Sequence, residues 1–312
     1  MKLKLLAAAL ALAASATVSA APTGESSNYN TIDTRQPSTA IPFGAGKAAL
    51  RINNSSIRIN IGDGPSKHIN KKYGNRPING ANINGTANGS ANPAYLTVKD
   101  VNPVISFFTN PTLGQVWYEK RAANVDVYSV RQITDVKLPI APKFGGLVIG
   151  QVKNLSDNSG VYFGEWAPRA SGTPVQNSTN LNMADARRTV WYAGDNPITD
   201  MPRLVNVKYN VLGVSKHTPG RNDFFTGVLT ANYGDGSGKL SGELTRGSER
   251  IDFKDTYILS HGKFSNVPSA GPREYDINGR FYGNNAEALA GDFREHPGVG
   301  QSRIGAFGAV KQ

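Results

Sequence analysis

Cysteine is absent from the 312 residues. That excludes disulfides, thiolate metal ligands, a thiol nucleophile and the lipidated cysteine of a surface lipoprotein. Histidine is scarce, with four copies, so each imidazole can be weighed singly as a metal ligand or base. Charged residues make up only 18% of the chain, below the roughly 25% of an average soluble domain. Beyond the N-terminal segment no apolar run reaches the length of about 18 residues that a spanning helix needs. Neither a G-x-S-x-G elbow nor an H-E-x-x-H pair occurs, and both are signatures that chemistry of those classes requires. Gly44-Ala45-Gly46-Lys47-Ala48 lacks the first glycine of a phosphate loop and the Ser/Thr after its lysine, and reads as an ordinary turn. The expectation is that the chain is not an enzyme.

What is abundant points to strands and turns. Thirty-four glycines and 18 prolines, with frequent asparagine, favour short strands joined by tight turns over long helices. Lys2 and Lys4 precede an apolar run from Leu5 to Val18 and the small residues Ser19-Ala20, the pattern of an export signal cleaved after Ala20. An exported chain that is not an integral membrane protein is therefore expected. Basic residues outnumber acidic ones, 34 to 23, for a formal charge of +11. The basic residues are dispersed instead of interleaved with stacking aromatics, so nucleic acid is not an expected partner.

Residues 21–46 lack sustained periodicity. Residues 51–92 form a polar, asparagine-rich stretch in which Ile57, Ile59 and Ile61 alternate as one short strand and the Asn-Gly steps read as turns. Strand-like runs follow at 104–108, 115–119, 125–130, 146–152, 161–166 and 189–192. A two-proline connector at 195–202 reads as a boundary. After it, Val205, Val207, Tyr209 and Val211 alternate with Asn206, Lys208 and Asn210, the pattern of a half-buried strand. Seven further runs at hairpin spacing, 224–233, 239–246, 250–254, 257–264, 275–282, 290–294 and 303–310, bring the count to eight strands that can close into a barrel. Only 284–289 reads as a helical turn. The predicted fold is all-β: a signal peptide at 1–20, a β-rich ligand-binding domain at 21–202, and an eight-stranded antiparallel barrel at 203–312.

Gly279-Arg280-Phe281-Tyr282-Gly283, Ala286-Glu287-Ala288-Leu289-Ala290-Gly291-Asp292-Phe293 and Arg303-Ile304-Gly305-Ala306-Phe307-Gly308-Ala309 resemble the C-terminal barrel of the transferrin-binding protein B family. Val161-Tyr162-Phe163-Gly164-Glu165-Trp166 and Val190-Trp191-Tyr192-Ala193-Gly194 resemble the hemophilins, secreted relatives among the Slam-dependent proteins. The resemblance implies a Gram-negative protein delivered outside the cell by a Slam-type translocon that reads the barrel. It further implies a hemophore that captures haem b in its N-terminal domain and passes it to a TonB-dependent outer-membrane haem receptor, with host haemoglobin or another host protein as a further partner. The missing cysteine fits a secreted form without a lipid anchor.

Haem capture without cysteine requires His, Tyr or Met on iron, cations for the propionates and apolar walls. Ser66-Lys67-His68-Ile69-Asn70-Lys71-Lys72-Tyr73 places one imidazole beside three lysines and an aromatic. His68 is the leading iron ligand, with Lys67, Lys71 and Lys72 for the propionates and Tyr73 beside them. A solvated histidine in a charge run is the competing reading. Ser215-Lys216-His217 repeats the tripeptide, and His217 is the candidate second iron ligand if its loop approaches the first domain. His261, in a barrel strand, and His296, before Pro297, read as structural and exposed. Tyr118, Tyr128 and Tyr192 are alternative ligands, though tyrosine in a β-rich chain is usually core. Trp117, Trp166 and Trp191 read as core before they read as haem wall. Two rivals remain: a Slam-dependent protein whose cargo is a host protein or another small ligand, and a carbohydrate-binding module.

Overall fold

The computed structural model describes residues 20–41, 43–74, 95–101, 111–121, 124–134, 143–172, 178–266, 274–296 and 303–312. The expected export signal at 1–20, save Ala20, the strand at 104–108 and the asparagine-rich residues 75–92 lie outside them.

The first half contains β1 (Thr23–Ser26), β2 (Ile32–Asp33), β3 (Ala49–Ile52), β4 (Ile59–Asn60), α1 (Lys67–Tyr73), β5 (Tyr95–Thr97), α2 (Val98–Val101), β6 (Thr112–Arg121), β7 (Val125–Gln132), β8 (Gly146–Val152), β9 (Val161–Ala167) and β10 (Thr189–Gly194). Seven of these strands form one antiparallel sheet in the order β1-β10-β9-β8-β7-β6-β5, and β2-β3-β4 form a small second one. The main sheet is buried on both faces: every residue of β7, β9 and β10 is buried. Continuous apolar runs such as Val161–Trp166 are the sequence form of that two-sided burial.

The second half contains β11 (Leu204–Val214), β12 (Phe225–Gly234), β13 (Ser237–Arg246), β14 (Glu249–Asp252), β15 (Thr256–Leu259), β16 (Lys263–Asn266), β17 (Tyr275–Tyr282), β18 (Ala288–Glu295) and β19 (Ile304–Lys311). Antiparallel pairing runs β12-β11-β19-β18-β17-β16-β15-β13, and β12 pairs β13 to close eight strands into a barrel. The all-β reading and the eight-stranded barrel are both as expected. Two details differ. The run 257–264 is two strands, broken where Gly262 takes φ +77°, and β14 pairs only with β13 and stands outside the ring. The barrel interior is packed with aromatics, including Phe253, Phe264, Phe281, Phe293 and Phe307, which meet edge to face at centroid separations such as 5.3 Å, a favoured aromatic geometry.

The alternation expected for β11 holds from Val207 onward but not before it. The register slips between Leu204 and Val207, Asn206 takes φ +50°, and Val205 is left 64% exposed while Leu204 is buried. A bulge adds one residue to one strand and reverses which side chains face inward before it.

The main sheet lies against the barrel's outer wall. Leu212, Val214, Tyr282, Ala288, Ala290, Ala306 and Val310 of the barrel strands join the core of the first half. Gly308 of β19 comes so close to Phe163 of β9 that a Cβ there would sit 2.4 Å from the ring.

Candidate functional site

The stretch read as turns contains a helix. After β4 the chain makes a wide helical turn at Gly62–Ser66, bent at Gly64, and continues into α1. Seven residues do not hold a helix in water by local propensity alone. Tertiary packing supplies what is missing: Ile69 is fully buried, and α1 packs on β6. Lys71 and Lys72 in its last turn suit the negative end of the helix dipole.

His68 is the residue this arrangement presents. Its ring is half-buried, 5.4 Å from the Phe43 ring centroid, and lines a small cavity of about 30 Å³ with Pro65, Leu96, Leu113, Val130 and Phe144. The walls are almost wholly apolar. Burial, then the nearby charges of Lys67 and Lys71, hold the imidazole below its usual pKa against an opposing interaction with the Asp100 backbone. His68 is thus a neutral imidazole at pH 7, the form that ligates iron. Among the described residues it enters no ion pair.

The predicted propionate contacts separate into two groups. Lys67 is exposed and only loosely engaged, 3.0 Å from the exposed carboxylate of Asp63. Lys71 lines an open groove of about 660 Å³ with Lys120, Lys153 and Tyr118, which shares no lining residue with the His68 cavity. Lys72, in contrast, donates to the Tyr95 carbonyl and to Asp100 Oδ2, both at 2.7 Å. The Asp100 carboxyl is pushed up by burial, but the hydrogen bonds from Lys72 and Thr97 outweigh this and leave it lowered. Tyr73 Oη bonds both backbone groups of Tyr95 at 2.9 Å. Lys72 and Tyr73, expected as ligand contacts, therefore clamp α1 to β5.

His217, expected as a second iron ligand, has its ring nitrogens engaged by carboxylates. It is fully buried, and both ring nitrogens are taken: Nδ1 lies 2.5 Å from Asp223 Oδ1 and Nε2 lies 3.1 Å from Glu119 Oε1. Burial alone would lower its pKa, but the bonds and charges of Asp223 and Glu119 reverse this and raise it to about 9. An imidazolium donating through both nitrogens offers no lone pair to iron. Glu165, also buried, accepts from the His217 and Lys216 backbone N–H groups at 2.6 and 2.9 Å and from Arg188 at 2.7 Å. This cluster joins β6 and β9 of the sheet to the β11–β12 loop of the barrel. The loop of His217 does approach the sheet of the first half, which was the condition for its candidacy, but the imidazole stands there as a structural cation. Glu119 and Glu165 were missed because a lone glutamate inside a strand pattern carries no local signal of its partner.

The remaining candidates are placed as follows. His261 is not in a strand but in the exposed turn between β15 and β16. His296 Nδ1 faces Asp276 at 3.5 Å. Tyr118 and Tyr128 stack at 5.1 Å; burial first, then Asp126, pushes Tyr118 up to about 12 and Tyr128 higher still. Tyr192 is fully buried and also raised. None of the three offers an accessible phenolate near pH 7. Trp117, Trp166 and Trp191 are at most 1% exposed and belong to the core.

The donor set around His68 fits a haem iron as a single imidazole ligand with apolar surroundings and two nearby lysines. The enclosed space is far smaller than a porphyrin, so the fit rests on the exposed half of the imidazole and its rim. Among the described residues no group of three His, Asp or Glu side chains is placed to hold a bare metal ion, and no helix is long and apolar enough to cross a membrane.

Residues 201–311 match the family model described as the C-lobe and N-lobe beta barrels of Tf-binding protein B. Among solved structures, a mutant of Transferrin Binding Protein B from Actinobacillus pleuropneumoniae H49 is 16% identical over 65% of this chain and 100% of that chain, with a TM-score of 0.33. A double mutant of the protein from Haemophilus parasuis Hp5 is 13% identical, covering 65% of this chain and 54% of that one, at 0.33. The isotype 1 protein from serogroup B Neisseria meningitidis is 12% identical over 63% and 35%, at 0.28. The C-terminal barrel of this chain is similar to the β barrels of Tf-binding protein B, and the sheet and helix that carry His68 lie outside the matched residues.

Proposed function

We propose that this chain is an exported haem-binding protein in which His68 ligates the iron. It captures haem b and hands it to an outer-membrane receptor after Slam-type export. The observation that supports this most directly is a neutral, half-buried imidazole set in an apolar wall, on a short helix held in place by Ile69, Lys72 and Tyr73. Haem supplies an iron whose axial position takes an imidazole nitrogen. Lys72 and Tyr73 fix the angle of α1 and so aim the ring, while Lys67 and Lys71 supply positive charge for the propionates. Phe43, Leu96 and Phe144 exclude water from one side of the imidazole and keep its nitrogen unprotonated.

A haem titration of the chain from Ala21 onward, followed between about 350 and 700 nm, is the test. Saturable binding with a shifted Soret band is expected, lost or strongly displaced in His68→Ala and retained in His261→Ala. A wild-type spectrum that stays that of free haem, or a His68→Ala spectrum identical to wild type, removes the proposal.

One observation favours a second reading. The barrel is similar to the β barrels of Tf-binding protein B, so the cargo under that reading is a host protein. Immobilised chain presented with transferrin and with haemoglobin separates the two: binding of either protein with no haem uptake supports the second reading.

A further inference from the structure

The fold contains two buried arginines that it treats differently. Arg188, 8% exposed, is paired with Glu165 at 2.7 Å. Arg131 of β7 is equally buried at 8%, yet no carboxylate among the described residues pairs with it. Among the described residues its side chain makes one hydrogen bond, from Nη2 to the neutral Oε1 of Gln115 at 2.5 Å. Its Nε is buried with no partner, and so is Nε2 of the same Gln115. Burial lowers the guanidinium pKa, opposed only by Tyr95. An unpaired buried cation with an unused donor is costly, and arginine at such a place suits recognition of a planar or tetrahedral oxyanion through two parallel N–H bonds.

Arg131 opens on a cavity of about 140 Å³, about ten times the minimum that admits one water. Its polar lining also includes Gln132, Arg169, Ser171, Ser178, Asn180 and Asn182, with no acid among the lining residues. Its walls are held close by two glycines at the entrance to β8. Gly145 takes φ +57° and donates its N–H to Gln132 Oε1 at 2.9 Å. A Cβ on Gly146 would lie 1.9 Å from the Leu181 carbonyl, so only glycine lets the 178–182 loop approach the sheet this closely. Arg169 reaches the Ile133 carbonyl at 3.1 Å from the exposed rim.

We propose that this cavity is a binding site for a small oxyanion of the phosphate, sulfate or carboxylate class, with Arg131 as its buried anchor and Arg169 at its mouth. The proposal does not rest on haem capture, although Gln132 lines both this cavity and the one beside His68. Arg131 alternates with Val130 and Gln132 along β7, so its side chain leaves the opposite face of the sheet from the His68 wall.

Calorimetric titration of the full chain with sodium phosphate, sodium sulfate and sodium acetate, at constant ionic strength, is the test. At least one anion is expected to give a single saturable site. Preference for phosphate or sulfate identifies a tetrahedral ligand, and preference for acetate a carboxylate. Arg131→Met is expected to abolish the binding and the accompanying rise in melting temperature. Arg169→Ala, at the exposed rim, should weaken affinity about tenfold, equivalent to one lost interaction of about 1.4 kcal/mol. No saturable binding of any of the three anions to the wild type overturns the proposal, as does affinity unchanged in Arg131→Met. If Arg131→Met does not fold by circular dichroism, Arg169→Ala and Ser178→Ala decide, and wild-type affinity in both overturns it.

Discussion

His217 couples three segments that are far apart in sequence, because Glu119, Asp223 and the Glu165 carboxylate all converge on its ring or its backbone. Its folded-state pKa of about 9 lies above the reference value of 6.5. Its contribution to stability is therefore full below pH 6.5 and is lost as pH rises through about 9. Urea midpoints of the wild type should fall across that window, and His217→Gln should remove that fall; a wild-type midpoint flat from pH 6 to 9.5 refutes the charged assignment. Glu165→Ala leaves Arg188 buried without its carboxylate and two N–H groups without an acceptor. Breaking such a pair is expected to cost about 3–5 kcal/mol in equilibrium unfolding. His68 stood out as a candidate in the sequence because its lysines and aromatic are sequence neighbours. The partners of His217 stand 98 and 6 residues away, and no local pattern joins them.

At the scale of elements, strands were read well wherever pattern and pairing agree, as in β8 and β17. The misses share one cause, which is a local conformation set by contacts distant in sequence. The bulge at Asn206 reverses the expected facing of Val205. The turn at Gly262 divides one apparent strand, because a Cβ at that glycine would meet Ile198 at 2.7 Å. Helix α1 was invisible amid asparagine and lysine, since a single buried apolar residue, Ile69, gives no period to detect. Ile69→Ala should then cost about 2–5 kcal/mol and weaken haem uptake beyond that loss by releasing the orientation of His68. Normal uptake by folded Ile69→Ala would separate the helix from the site. Arg131 was missed for a related reason: it follows Val130, where the apolar pattern of β7 stops, and that no described carboxylate pairs with it is a property of packing alone.

For the molecule as a whole, the sheet rests on one side of the closed barrel, and small residues make the contact possible. Gly308 and Ala306 of β19 present almost no side chain to Phe163 and its neighbours. Gly308→Leu is expected to overpack this seam and destabilise by about 1–3 kcal/mol. Hydrogen exchange should quicken in β9 and β19 while the β12–β13 pairs, across the barrel, stay protected; uniform quickening would mean that the two halves unfold as one. The all-β class and most strand positions were determined by the sequence itself, because alternation, glycine and turn residues act over a few residues and are written locally; the eight strands of the barrel agree in number although the run 250–254 stands outside the ring and 257–264 supplies two strands. Which histidine is a neutral half-buried imidazole and which a buried cation, and which buried arginine meets no carboxylate among the described residues, were decided only in the tertiary structure. Charge state and hydrogen-bond partners depend on desolvation and on groups brought within about 3 Å from distant strands, and neither quantity exists until the chain is packed.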